Sequence, residues 1–112
     1  IAKKYSKNLN KKLKTPIFNL KISNPSFHQY IVRTKERNKL KLFLNKNKID
    51  TAIHYPIPIH KQIAYKKHFG KIKLPLTEKL SKEILSLPIN PFMTDDEVNF
   101  VIKKVNEFFE RR

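Results

Sequence analysis

The sequence predicts an α+β fold, a small sheet of two to four short strands packed with helices. Three observations carry that prediction. Apolar and polar residues alternate at strand spacing over 27–33 and again over 49–53. An apolar stripe at helical spacing runs from Val98 to Phe109 behind a capping signature at Thr94. Finally, 112 residues with 39% hydrophobic and 11% aromatic side chains suffice for one domain with a modest core. A chain of this length buries roughly 60 to 70% of the surface it would expose unfolded.

Taken in order, Ile1, Ala2, Tyr5, Leu9 and Leu13 recur at nearly every fourth position, which predicts a one-sided helix over 1–13. No cap precedes it, as if the helix entered from elsewhere, and Thr15-Pro16 stops it. Asn24-Pro25-Ser26 signals a turn before a strand from Phe27 to Arg33. Thr34 is the expected N-cap of a helix carrying Leu40, Phe43 and Leu44 on one side. The strand Ile49, Thr51, Ile53 follows. A short helix is expected from His60 to Phe69, closed by Gly70, the only glycine in the chain, in a left-handed C′ conformation. Another helix is expected from Thr77 to Leu85, with Leu87-Pro88 to Pro91 as an extended connection. Thr94-Asp95-Asp96-Glu97 reads as a capping box, and its acids, with Lys103, Lys104, Arg111 and Arg112 further on, suit the helix dipole.

Composition excludes several classes. With no cysteine there are neither disulfides nor thiolate chemistry. No apolar run reaches the roughly 20 residues of a membrane span, and the first residues lack the apolar core of a secretory signal, so cytoplasm is the default compartment. The first residue is not Met, which suggests a trimmed chain or a piece of a longer one. The net charge of +16 invites a nucleic-acid reading. However, the lysines are scattered from Lys3 to Lys104 and outnumber the arginines, so solvated positive charge fits better than an organised phosphate-binding face. The four histidines, His28, His54, His60 and His68, have no ligand spacing for a metal.

Candidate function concentrates in Ile49 to His60, I-D-T-A-I-H-Y-P-I-P-I-H. Pro56 and Pro58 fix the backbone and lower the entropy cost of holding a binding shape. His54, Tyr55 and His60 are the polar groups that such a turn can present. Outside it, Glu78 is read as a helix N-terminal acid, Arg33 as an ion-pair partner of Glu36 or Glu78, and His28 as a satisfied core or interface group.

The segments H-Q-Y-I-V-R-T (28–34), R-N-K-L (37–40), I-D-T-A-I-H-Y-P-I-P-I-H (49–60), A-Y (64–65), L-P-L-T-E-K-L (74–80), I-L-S-L-P-I-N-P (84–91) and T-D-D-E-V (94–98) resemble, in this order, the C-terminal part of the DegT/DnrJ/EryC1/StrS aminotransferases. These are pyridoxal-phosphate (PLP) enzymes that aminate a keto sugar carried on a nucleotide, usually from glutamate. The resemblance implies the small C-terminal domain of a fold type I PLP-dependent aminotransferase over 15–112, and over 1–14 the end of a helix leading from a large PLP-binding domain that is absent. It implies substrate contacts for His54 and Tyr55, a homodimeric parent enzyme, PLP in that parent, and no Schiff-base lysine, cofactor contact or catalytic residue in this chain, while His60 stays a substrate-binding candidate that can instead cap the following helix. The 112 residues alone are then expected to be inactive. Thr77 and the acid-free loop from His68 to Leu74 depart from the family pattern and bear on partner or substrate preference. Two rival readings stay open: a free-standing basic module for nucleic acid or an anionic surface, and a non-catalytic remnant.

Overall fold

The structure, a computed structural model, describes residues 1–19 and 21–111. Its helices are α1 (Ala2–Asn8), α2 (Arg37–Lys46), α3 (Ile63–Phe69), α4 (Pro75–Glu83) and α5 (Asp95–Glu110), with a 3₁₀ turn at Ile59–Lys61. Two strands, β1 (Tyr30–Arg33) and β2 (Ile84–Leu87), form an antiparallel sheet. The α+β class holds.

The pairing sets Tyr30 opposite Leu87, Ile31 opposite Ser86, Val32 opposite Leu85 and Arg33 opposite Ile84. Successive side chains of a strand point to opposite faces. Tyr30, Val32, Leu85 and Leu87 therefore share the face that packs on the helices, and all four are buried. Single bridges extend the sheet on both sides, Lys14 to Arg33 and Ala52 to Ser86. Against the inner face lie Tyr5, Leu9 and Leu13 of the N-terminal stretch, Leu40 and Leu44 of α2, and the α5 stripe of Val98, Val101, Ile102, Val105, Phe108 and Phe109. The Tyr5 and Tyr30 rings meet at 5.0 Å. Their hydroxyls are spent within the protein, Tyr5 donating to Pro88 O at 2.7 Å and Tyr30 bonded to Ser6 Oγ at 2.7 Å. Burial pushes both phenols above their usual range.

Several expectations from the sequence give way to tertiary context. The first strand begins at Tyr30 because Phe27 turns left-handed, φ 51°, which no strand tolerates. Ile49–Ile53 does not form a strand; only Ala52 pairs, and Ile49 is buried as an isolated anchor. The sheet partner of β1 is instead β2, whose Ile84 and Leu85 the helical pattern absorbed into the preceding helix. That helix starts at Pro75, where the missing N–H costs nothing, and ends at Glu83. The first helix stops at Asn8, although Leu9 and Leu13 stay buried beyond it. Thr34 caps a turn rather than the helix: its Oγ1 accepts from the Glu36 amide at 3.1 Å, and α2 starts after Glu36. The expected helix from His60 to Phe69 breaks at Gln62 into the 3₁₀ turn and α3. Gly70 is right-handed, φ −63°, and is needed for another reason, since a Cβ there would lie 2.4 Å from Lys66 O.

The capping box is present as expected, with Glu97 N donating to Thr94 Oγ1 at 3.2 Å and Thr94 N to Glu97 Oε2 at 2.7 Å. Of the basic residues expected to serve the dipole of α5, Arg112 lies outside the described residues. Arg33 pairs with Glu83 at 2.9 Å, neither Glu36 nor Glu78, because the strand register brings the end of α4 beside it. Buried Arg37 donates to Ser81 O and Ile84 O, closing the carbonyls at the end of α4.

Two substitutions test this packing by chemical denaturation. Leu85→Ala is expected to cost about 2–5 kcal/mol, as for a fully buried leucine. Thr94→Ala should cost ~1 kcal/mol through the lost cap, and an unchanged midpoint for either would contradict the assignment.

Candidate functional site

The outer face of the sheet carries the candidate site. Ser86, opposite Ile31 on β2, points away from the helices, and the Ala52 bridge lays the 49–54 segment alongside it. The consequence is a hydrogen bond of 2.8 Å between Ser86 Oγ and His54 Nδ1, with the serine buried and the imidazole half-buried. A concavity of about 300 Å³ opens there, lined in part by His28, Gln29, Asp50, Thr51, His54 and Ser86. Thr51 Oγ1 is buried and has no hydrogen-bond partner among the described residues. A buried hydroxyl left unbonded is costly, so Thr51 is a locally weak point beneath this wall.

Tyr55 follows His54 in the chain and is not among the residues that line the concavity. It is 82% exposed and left-handed, φ 58°, immediately before a proline, a position where that conformation is disfavoured. His54 and Tyr55 therefore diverge at a bend, not at a strand end as the alternation implied. Strain of this kind persists only where the surroundings impose it, and here Pro56 and Pro58 hold the following backbone.

His60 lies apart from the concavity. It is 5% exposed, and its Nε2 is 3.0 Å from Glu78 Oε1, a geometry in which the ring N–H donates to the carboxylate. Lys61 Nζ reaches Glu78 Oε2 at 3.2 Å. This contact fastens the far end of the proline loop to the first turn of α4. Glu78 is the helix N-terminal acid expected, accepting in addition from Leu74 N at 3.4 Å. His28 is exposed, neither core nor satisfied by packing, and borders the concavity instead. Of the three candidates, the structure thus brings His54 into the concavity, leaves Tyr55 exposed outside its lining and makes His60 an anchor.

Residues that the sequence did not single out are Ser86, Thr51 and Gln29. The signal for Ser86 was a lone polar residue between two leucines in I-L-S-L-P, the alternation of a strand with one buried face. Thr51 and Gln29 had none.

Nothing in this set fits a PLP centre. Such a centre needs a sheltered lysine for the Schiff base and a carboxylate for the ring nitrogen. No described lysine is buried. The three half-buried ones are engaged, Lys4 with Asp95, Lys41 with Thr51 O and Lys104 with Glu107. No described carboxylate is buried either, and the half-buried Glu36, Glu78, Glu83 and Glu107 each pair with a cation. Among the described residues no cluster of His, Asp and Glu could hold a metal ion, and no helix is long and apolar enough to cross a membrane.

Fold and site together define an α+β unit that offers a polar wall and a rigid proline loop. A sequence profile of the DegT/DnrJ/EryC1/StrS aminotransferase family matches residues 1–106, and the chain belongs to that family. It is 42% identical over 82 residues to the dTDP-3-amino-3,6-dideoxy-alpha-D-galactopyranose transaminase of Aneurinibacillus thermoaerophilus, covering 73% of this chain and 22% of the relative. It is 37% identical over 90 residues to the dTDP-3-amino-3,4,6-trideoxy-alpha-D-glucose transaminase of Streptomyces venezuelae, covering 80% and 24%. Among solved structures, S. venezuelae DesV in complex with a ketimine intermediate superposes with a TM-score of 0.91 at 32% identity, over 99% of this chain and 30% of that one. The chain thus spans between a fifth and a quarter of the length of these curated relatives.

The His60–Glu78 anchor has a pH signature. Hydrogen bonds from His60 first and then Lys61 hold the Glu78 carboxyl down to about 2 from its ordinary value of 4.5. A carboxyl whose pKa is depressed by folding stabilises fully above its unfolded value and loses that contribution as pH falls toward the folded one. Wild type should therefore exceed Glu78→Gln in denaturation midpoint above about pH 4.5, with the gap closing as pH approaches 2. Parallel midpoint curves across that window would remove the anchor.

Proposed function

We propose that this chain is the C-terminal small domain of a PLP-dependent aminotransferase that aminates a nucleotide-linked keto sugar, and that it supplies one wall of the substrate site. In this reading residues 1–14 carry the end of a helix from the large domain, which closes at Asn8, and 15–112 form the small domain. The large domain brings the Schiff-base lysine and the cofactor, so the 112 residues alone are inactive. The same reading carries a homodimeric, cytoplasmic enzyme with glutamate as amino donor.

The observation that carries it is the His54–Ser86 pair lining the concavity on the sheet face turned away from the core. A sugar is rich in hydroxyls, and a wall of imidazole and hydroxyl groups can both donate to them and accept from them. Ser86 fixes the His54 ring at Nδ1 and leaves Nε2 for a ligand. Tyr55, next to His54 in the chain, adds an exposed phenol on a strained backbone. The transaminase names of the relatives support the substrate class.

The test uses the natural polypeptide that contains this sequence, with its intact mass measured and a dTDP-linked keto sugar and glutamate as substrates. Amination by a chain much longer than 112 residues is expected. In that enzyme, Tyr55→Phe and Ser86→Ala should each lower kcat/KM for the keto sugar by about tenfold, a loss of ~1.4 kcal/mol, while cofactor absorbance is kept. Unchanged kinetics for both variants would take this wall out of the site.

A further inference from the structure

The segment from Tyr55 to Leu76 is an arm that the fold leaves uncovered. Of its residues only His60 is buried, and no residue of α3 is. Ile63 is 94% exposed and Leu76 66%, and Ile57, Ile59, Tyr65 and Phe69 are exposed as well. A radius of gyration of 15.7 Å, against about 13 Å for a compact domain of this length, fits a projecting element. Single apolar residues on a surface need no explanation, but their concentration in one stretch of chain, with the Tyr65 and Phe69 rings 6.5 Å apart, points to an interface.

Charge narrows what can cover it. From Thr51 to Thr77 there is no Asp or Glu, while Lys61, Lys66, Lys67, Lys71 and Lys73 interleave with the apolar residues. A second arm laid against the first would set these lysines against their like, in a chain already at +16. The occupant must instead be apolar with carboxylates at its edge. Shape narrows it further. The S. venezuelae enzyme superposes on 99% of this chain, arm included, although the chain covers only 30% of that structure. Beyond the His60–Glu78 and Lys61–Glu78 contacts with α4, the arm thus holds, largely unburied, a conformation found where the rest of an aminotransferase is present.

We infer that residues 55–76 are a docking arm whose apolar and basic surface seats against an apolar, carboxylate-rimmed surface of the part of the aminotransferase fold that this chain lacks. The inference rests on the reading of the chain as one domain of a larger enzyme. The arm joins that surface to the proline loop through the His60–Glu78 anchor, so docking holds Tyr55 in register with the remainder of the site.

Acetic anhydride labelling of Lys66, Lys67, Lys71 and Lys73, together with amide hydrogen exchange over 63–76, tests this in the 112-residue chain and in the natural polypeptide that contains it. The natural polypeptide is assayed in parallel for amination of a dTDP-linked keto sugar. Labelling and exchange of the arm should be at least about tenfold slower in the natural polypeptide than in the isolated chain. In Ile63→Asp/Leu76→Asp, which alters no buried position, the arm should return to the isolated-chain rates. An enzyme that aminates the sugar while its arm reacts as fast as in the isolated chain overturns the inference and leaves the functional reading standing. Protection by phosphatidylglycerol vesicles with none in the natural polypeptide overturns it in favour of an anionic lipid surface. A natural polypeptide without the remaining fold and without amination overturns both.

Discussion

The backbone pairing of β1 with β2 is the constraint on which everything else depends. It joins stretches separated by most of the middle of the chain, and its register fixes three unrelated features at once. Val32 opposite Leu85 closes the inner face over the helices. Arg33 opposite Ile84 carries Glu83 to the guanidinium, and Ile31 opposite Ser86 turns the serine outward to meet His54. Slipping the register by one residue would bury Ser86 in the core and expose Leu85 and Leu87, so the core enforces the geometry of the candidate site.

This dependence separates what the sequence revealed from what it concealed. Helix α5 was legible because its determinants are local: Thr94 and Glu97 cap each other across one turn, and the stripe from Val98 to Phe109 follows the helical period. The residues of the loop I-H-Y-P-I-P-I-H were legible as candidates because two prolines bracket histidines and a tyrosine. Strand β2 was not, because Ile84-Leu85-Ser86-Leu87 continues the apolar spacing of α4 and only the distant partner decides against a helix. Ile49–Ile53 has the alternation of a strand but finds one bridge, since the edge of a two-stranded sheet offers it little to pair with. The left-handed Tyr55 does not follow from residue types, and a structural role for His60 was legible where its partner, Glu78, was not. The family resemblance supplied the affiliation, and the fold distributed the roles among the three candidates.

Lysine is abundant here and yet chemically committed elsewhere. An amine competent for covalent chemistry at neutral pH must lose its proton, which requires burial or a neighbouring positive charge. The described lysines are exposed or engaged with acids and carbonyls, and their number serves solvation and the basic arm.

The most direct measurement of that commitment is borohydride reduction of the isolated 112-residue chain after incubation with PLP, followed by peptide mapping of the reduced adducts. The account predicts sparse labelling spread over many lysines, proportional to their exposure, and no amination of a dTDP-linked keto sugar. Stoichiometric capture by a single lysine, accompanied by transfer of an amino group, would contradict it.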